Sequence, residues 1–229
     1  RQSVNYAYDS LGNFTYKSDY SKTQSNAYQY GNAGKTAGGN AGSNAVRSVL
    51  KLNNSRVYFS YDNRGNLISG DGITANYTAY IKPITISRGG TTSTFSYGSD
   101  RMRYKQVENG KTTYYIDKLY EVEGADWRAY ISDVAVIHYK ASETRTSIRY
   151  THKDRLGSAS TLTDHNGNLT ERRSFDPFGK PRGTNGASLS LARLTSFGSD
   201  IEITDRGFTD HEHLDNLELI HMNGRVYDY

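Results

Sequence analysis

Asp210-His211-Glu212-His213 is the most site-like cluster of titratable side chains in the sequence. On an extended backbone alternate residues share a face, so His211 and His213 project one way and Asp210 and Glu212 the other. Two imidazoles on one face can hold Zn²⁺ when a third ligand arrives from elsewhere, and His221 is a candidate. The spacing matches no known zinc signature, and structural hydrogen bonding accounts for the same imidazoles without a metal. No metal ligand is assigned. Asp164, Asp176, Asp205, Asp210, Asp215 and Asp228 are the candidate carboxylates for acid–base chemistry. That chemistry needs two close carboxyls of unequal proton affinity, and sequence spacing brings no pair together. Asp228, close to the last residue, Tyr229, is the first to examine. Asp176-Pro177, inside "FDPFGKPRG" at 175–183, reads as a turn in which proline fixes φ. No catalytic residue is assigned.

Two further strings invite a ligand. "AGKTAGG" at 33–39 has the look of a phosphate loop, but the position where that motif needs its first glycine is Gln29, and no apolar strand leads into it. No cofactor-binding residue and no cofactor follow. Arg101, Arg103 and Lys105 alternate around Tyr104, a strand face that could meet phosphates. The formal net charge is only +4, however, and the cations are interleaved with acids, which argues against a nucleic-acid partner.

The elements that would position these residues are strands. The chain has 229 residues, 20 of them Tyr and 22 Gly, with 3 Pro and 35% hydrophobic residues. Mean hydropathy is -0.76. Tyrosine favours strands and glycine marks turns, so the composition suits a sheet wetted on at least one face better than a helical globule. There is no cysteine, which excludes disulfides and thiolate metal sites. No apolar run is long enough for a membrane-spanning helix, and no secretory leader is visible.

One short string recurs: "YDSLGNFT" at 8–15, "YDNRGNLI" at 61–68 and "DHNGNLTE" at 164–171. Tyrosine closes an incoming strand, Asp and Asn side chains close a turn (Asp62 and Asn63 in the second copy), and glycine supplies a left-handed residue. Gly65 fills that position, with Tyr61 and Leu67 on the flanking strands. Gly89-Gly90, Asn109-Gly110, Asn166-Gly167 and Asn223-Gly224 mark further hairpin turns. Tyr6/Tyr8 and Tyr28/Tyr30 each place two rings on one strand face. Residues 31–46 read as a loop, and residues 184–205 as a short helix or an irregular crossing. The expected fold is all-β: a ribbon of antiparallel hairpins that must be laid side by side to bury a face.

In this setting the chain resembles the YD repeats of the Rhs family, which is related to the teneurins and to the C components of insecticidal toxin complexes. "HKDRLGSASTLTDHNGNLTERRSFDPFGKPR" at 152–182 is similar to the start of the Rhs-associated core domain, and "RGFTDHEHLDNLELIHMNGRVYD" at 206–228 to its next block. "AGSNAV" at 41–46 is a degenerate version of another family segment. The resemblance implies a hairpin ribbon spiralling into a hollow shell, with a YD-repeat region at 1–147 and the N-terminal part of the core domain at 148–229. It implies a bacterial protein of interbacterial competition, secreted or delivered to a target cell. The implied partners are a C-terminal toxin and other shell repeats of the same polypeptide, and secretion-system components. In the family the core releases the toxin by aspartyl self-cleavage, in a segment that falls beyond Tyr229. The chain is therefore read as a fragment, not itself an enzyme, with a structural and encapsulating role.

Two alternatives remain at this point. The chain could belong to an autoproteolytic core, or it could be a surface adhesin whose tyrosines stack on carbohydrate. Open strand edges could also drive self-association.

Overall fold

The computed structural model describes residues 3–31, 41–187, 194 and 203–229. The "AGKTAGG" string therefore lies outside the described residues, as does most of the 184–205 crossing. Among the described residues every regular element is a strand or a single 3₁₀ turn, and the all-β expectation is met.

The recurrent turn has one pattern of backbone donors to Asp Oδ1, seen at Asp9, Asp62, Asp154, Asp164 and Asp176, with a side-chain amide added where Asn stands four residues on, at Asp9, Asp62 and Asp164. In the Asp62 copy, Oδ1 accepts the backbone N–H groups of Arg64 (2.8 Å) and Asn66 (2.9 Å), and Oδ2 accepts the Asn66 side-chain amide (2.8 Å). The Asp62 N–H donates to Asn66 O, and the Gly65 N–H to Asp62 O. Gly65 sits at φ 81. The side-chain amide thus comes from Asn66, four residues on, rather than from Asn63 as the sequence reading had it. Geometry explains this: only at that position does the chain return alongside Asp62. These loops add a bulge to the hairpin, as the shifted register between Ser60 and Tyr61 records. Asn166-Gly167 belongs to this same class, with only Gly167 at positive φ. Asn109-Gly110 is different: both residues have positive φ (51 and 79), and Glu108 faces Lys111, the two-residue hairpin foreseen.

The chain divides into two compact units, Gln2–Gly90 and Thr91–Tyr229. In the N-terminal unit β1 (Tyr6–Tyr8) and β2 (Phe14–Lys17) form a hairpin, and β3 (Tyr28–Tyr30), β4 (Val46–Leu50) and β5 (Arg56–Tyr58) a three-stranded antiparallel sheet. A meander follows: β6 (Ser60–Tyr61), β7 (Leu67–Gly70), β8 (Ile73–Tyr77) and β9 (Pro83–Arg88). The paired tyrosines share faces as expected, with Tyr6 and Tyr8 both against Phe14 and the Tyr28 and Tyr30 rings 6.4 Å apart. The tyrosine that ends a strand recurrently ties it to an earlier one. Tyr30, Tyr61 and Tyr77 donate their hydroxyls to the carbonyls of Phe14, Val46 and Leu67, each the first residue of its strand. Half-burial of Tyr61 pushes its hydroxyl up to about 12, so it stays a donor at any ordinary pH.

The C-terminal unit is a longer meander in which each strand pairs antiparallel with the next. Its strands are β10 (Thr91–Tyr97), β11 (Arg103–Glu108), β12 (Lys111–Ile116), β13 (Tyr120–Glu123), β14 (Asp126–Ile131), β15 (Ala135–Lys140), β16 (Arg145–Lys153), β17 (Ala159–Thr163) and β18 (Leu169–Arg172). A short hairpin, β19 (Ser174–Phe175) with β20 (Pro181–Arg182), is closed by the Asp176 turn. The last sheet is β21 (Glu212–Leu214), β22 (Leu219–His221) and β23 (Val226–Asp228), with a turn at Asn223-Gly224. Residues 203–229 carry much of the unit's apolar core: Ile203, Phe208, Leu214, Leu217, Leu219 and Ile220 are all buried.

Candidate functional site

Tracing which residues face one another across β10 to β15 defines a covered, charged face. Phe95 faces Gln106, which faces Thr113; Tyr115 faces Glu121, Glu121 faces Arg128, and Arg128 faces His138. Strict alternation would put Arg103 on the opposite face, beside Lys105. A bulge prevents this: Ser96 pairs with Lys105 and Tyr97 with Arg103, which leaves Tyr104 as the extra residue. Bulges re-aim side chains, and this one turns Arg103 inward while Lys105 lies over the Tyr114 ring on the other face. The expected cationic stripe of Arg101, Arg103 and Lys105 is therefore broken: Arg101 sits at positive φ in the preceding turn, and Arg103 is buried.

Residues 203–212 cover this face and add their own charges to it. Glu212 ion-pairs with Arg103, and its other oxygen accepts the Tyr115 hydroxyl at 2.8 Å. The Arg103 guanidinium lies over the Tyr115 ring, 3.9 Å from its centre, and donates to Gln106 Oε1 at 2.8 Å. Arg206 stacks on Tyr130 at 3.5 Å and donates to Lys118 O. Glu121 receives the Tyr130 hydroxyl at 3.2 Å, with Arg206 at 3.5 Å and Arg128 at 3.7 Å. Asp205 is half-buried between these arginines and carboxylates, and its buried Oδ1 has no hydrogen-bond partner among the described residues. A cleft of about 720 Å³ opens beside the cluster, lined in part by Arg103, Glu121, Arg206, His211 and Glu212.

The three carboxyls have unlike proton affinities. Burial, then the neighbouring charges of Asp205 and Glu212, push Glu121 up to about 8 against the pull of Arg128 and Arg206. Burial and Glu212 raise Asp205 to about 6, against Arg128, Arg206 and Arg103. Burial also opposes ionisation of Glu212, but Arg103, His221 and the Tyr115 hydroxyl outweigh it and hold that carboxyl below its usual range. The arrangement can therefore hold an ionised carboxylate and a protonated carboxyl side by side.

Of the six aspartates singled out in the sequence, Asp205 alone enters this cluster. Asp164 and Asp176 close turns, and Asp176 also pairs with the buried Arg182. Asp210 pairs with Lys153, Asp215 accepts the Leu194 N–H, and Asp228 is exposed at the end of β23. The histidines engage in hydrogen bonds. His213 Nε2 accepts the Phe208 N–H at 3.1 Å, which puts the neutral ring's proton on Nδ1. His211 Nδ1 lies 2.9 Å from Thr209 Oγ1, and His221 packs against Phe95. Among the described residues no group of three or more His, Cys, Asp or Glu could hold a metal ion, and no helix is long and apolar enough to cross a membrane. The sequence reading missed Glu121, and it gave Glu212 a face without a role. One signal was available: Tyr120-Glu121-Val122-Glu123 alternates strictly, and the register sends its charged half to the covered side.

No family profile and no curated protein sequence matches the chain. Solved structures do. The chain aligns over 98% of its length with TcdB2-TccC3 lacking the hypervariable C-terminal region, at TM-score 0.58 and 11% identity. It aligns equally fully with TcdB2-TccC3-Cdc42 at TM-score 0.57 and 12% identity. A third match, at TM-score 0.58 and 11% identity, is the Tc holotoxin pore of Photorhabdus luminescens carrying a TccC3 mutation. The chain spans only 15%, 15% and 13% of those longer chains, respectively. At such identity the likeness is one of fold: this chain has the antiparallel β-hairpin architecture found within the TcdB2-TccC3 toxin proteins.

Proposed function

We propose that the chain is a wall segment of an Rhs-type toxin protein, built to enclose and help deliver a toxin carried C-terminally on the same polypeptide. The observation that carries this reading is the alignment of nearly the whole chain with TcdB2-TccC3. The five copies of one Asp-x-x-Gly turn fit a wall assembled from repeated hairpins. In this reading residues 1–147 are YD repeats and residues 148–229 begin the core domain. The protein is bacterial and is secreted or delivered to a target cell. The test is protease protection in the longest natural polypeptide containing this chain. The segment following residue 229 is expected to resist digestion until the wall is unfolded. Digestion at the same rate with and without the folded wall would overturn the reading.

One observation favours the second reading, an autoproteolytic core. Glu121, Asp205 and Glu212 meet the requirement of close carboxyls with opposed proton affinities. Self-cleavage of the longer polypeptide decides between the two. A folded Asp205→Asn variant that no longer cleaves would assign the cluster to catalysis, and one that still cleaves leaves it structural. A carbohydrate-binding adhesin is less well supported. Tyr120 and Tyr139 each stack on Trp127 with ring centres 5.7 Å apart, so the sole tryptophan is engaged within the sheet.

A further inference from the structure

Glu121 and Asp205 are placed as ions should not be. A carboxylate that is well served in a protein interior has donors at about 2.7–2.9 Å. Glu212 meets that standard through Arg103 and Tyr115. Among the described residues Glu121 has no guanidinium nearer than 3.5 Å, and Asp205 Oδ1 has no donor. Both sit where residues 203–229 close over β10 to β15. Tyr130, Arg206, Thr204 and Asn216 are among the residues that pin that segment down.

We propose that residues 203–229 are latched onto the β10–β15 face by a proton, held down while Glu121 or Asp205 is protonated and loosened when both ionise. The neighbours fit this role. Arg103 on β11, Tyr115 on β12 and Arg128 and Tyr130 on β14 face the two carboxyls from the sheet, with His138 on β15 one strand further, opposite Arg128. Arg206 and Glu212 face them from the segment itself, and His213 and His221 act on Glu212 rather than on these two. Three guanidiniums balance three carboxylates only when all three are ionised. The two poorly served carboxyls nevertheless keep their protons longer, because desolvation outweighs the distant arginines.

The sign follows from which state holds the proton. Glu121 has its affinity raised from 4.5 to about 8, so between those values the folded chain keeps a proton that the unfolded chain has lost. Stability from this group is complete below about 4.5 and drains away as pH rises to about 8. Asp205 acts in the same direction, from 3.8 to about 6. His213 opposes them at lower pH. Burial holds its ring neutral down to about 3, so below about 6.5 the unfolded chain gains a proton that the fold refuses. The Glu121 contribution is therefore cleanest above about pH 6.5.

The experiment is hydrogen exchange on the full chain from about pH 6.5 to 9, corrected for intrinsic exchange, reading the amides of β21 and β22. Wild-type protection is expected to fall about thirtyfold across that range, because the linkage of one proton runs over about 1.5 pH units before Glu121 ionises at about 8. In Glu121→Gln, a neutral isostere, protection is expected to stay level and to exceed wild type at about pH 9. Wild-type protection that does not change with pH, or a variant that loses protection as steeply, overturns the latch. Should the variant fold poorly, infrared titration of the wild-type chain serves instead. A protonated carboxyl band persisting above about pH 6 supports the latch, and its absence refutes it.

Discussion

Glu212→Gln isolates the best-served ion pair of the cluster. The substitution keeps size and hydrogen-bonding shape but removes the charge that faces Arg103, whose side chain is only 8% exposed. Arg103 retains Gln106 Oε1 at 2.8 Å and the Tyr115 ring, neither of which carries a formal negative charge. Leaving one partner of a buried pair uncompensated costs about 3–5 kcal/mol. Against a total stability of about 5–15 kcal/mol that is a large share. With a urea dependence of about 1–3 kcal/mol per molar, the midpoint should fall by roughly 1–5 M. Trp127 is the sole tryptophan and is stacked between Tyr120 and Tyr139 on the same sheet, so its fluorescence reports the transition directly. Arg103→Met combined with Glu212→Leu removes both charges and should recover most of the loss, since apolar replacement of a buried pair is often close to neutral. A Glu212→Gln midpoint equal to wild type, or a double-mutant cycle with no coupling, would refute this account of the cluster.

Other expectations follow from particular contacts. Gly70→Ala would put its Cβ 2.2 Å from Phe59 Cδ1, so the N-terminal unit should lose about 1–3 kcal/mol in thermal unfolding. Gly179→Ala meets Phe208 at 2.6 Å and needs φ 89, so it should lower the melting temperature of the C-terminal unit and increase exchange at Phe208. Asn109→Val forces a β-branched residue to φ 51 and should cost about 1–2 kcal/mol by urea titration, whereas Asn109→Gly should be nearly silent. The neutral His213 contributes stability that is lost as pH falls from about 6.5 towards 3. Urea midpoints across that range should therefore fall less steeply in His213→Gln than in wild type.

Much of this protein is written locally. Asp62, Gly65 and Asn66 make their turn from atoms no more than four residues apart, and Asn109-Gly110 sets its own hairpin through two positive φ angles. Such features depend only on backbone sterics and short-range hydrogen bonds, which is why strands, turns and the all-β class are legible from residue order. The charged cluster was not, for two reasons. A single bulge at Tyr104 reverses the face of Arg103, and no local letter announces it. The strands also alternate apolar and charged residues, which ordinarily predicts an apolar core. Here the apolar side stays partly open, with Tyr114 at 47% and Ile116 at 60% exposure, while the charged side is covered by residues far along the chain. Glu121 and Asp205 are 84 positions apart in the sequence (205 − 121) and meet only because residues 203–212 return to the sheet. The sequence alone determined the hairpins and their turns. Which face is covered, and therefore which carboxyls hold their protons, was decided by the tertiary structure, because burial and charge proximity are properties of the folded chain.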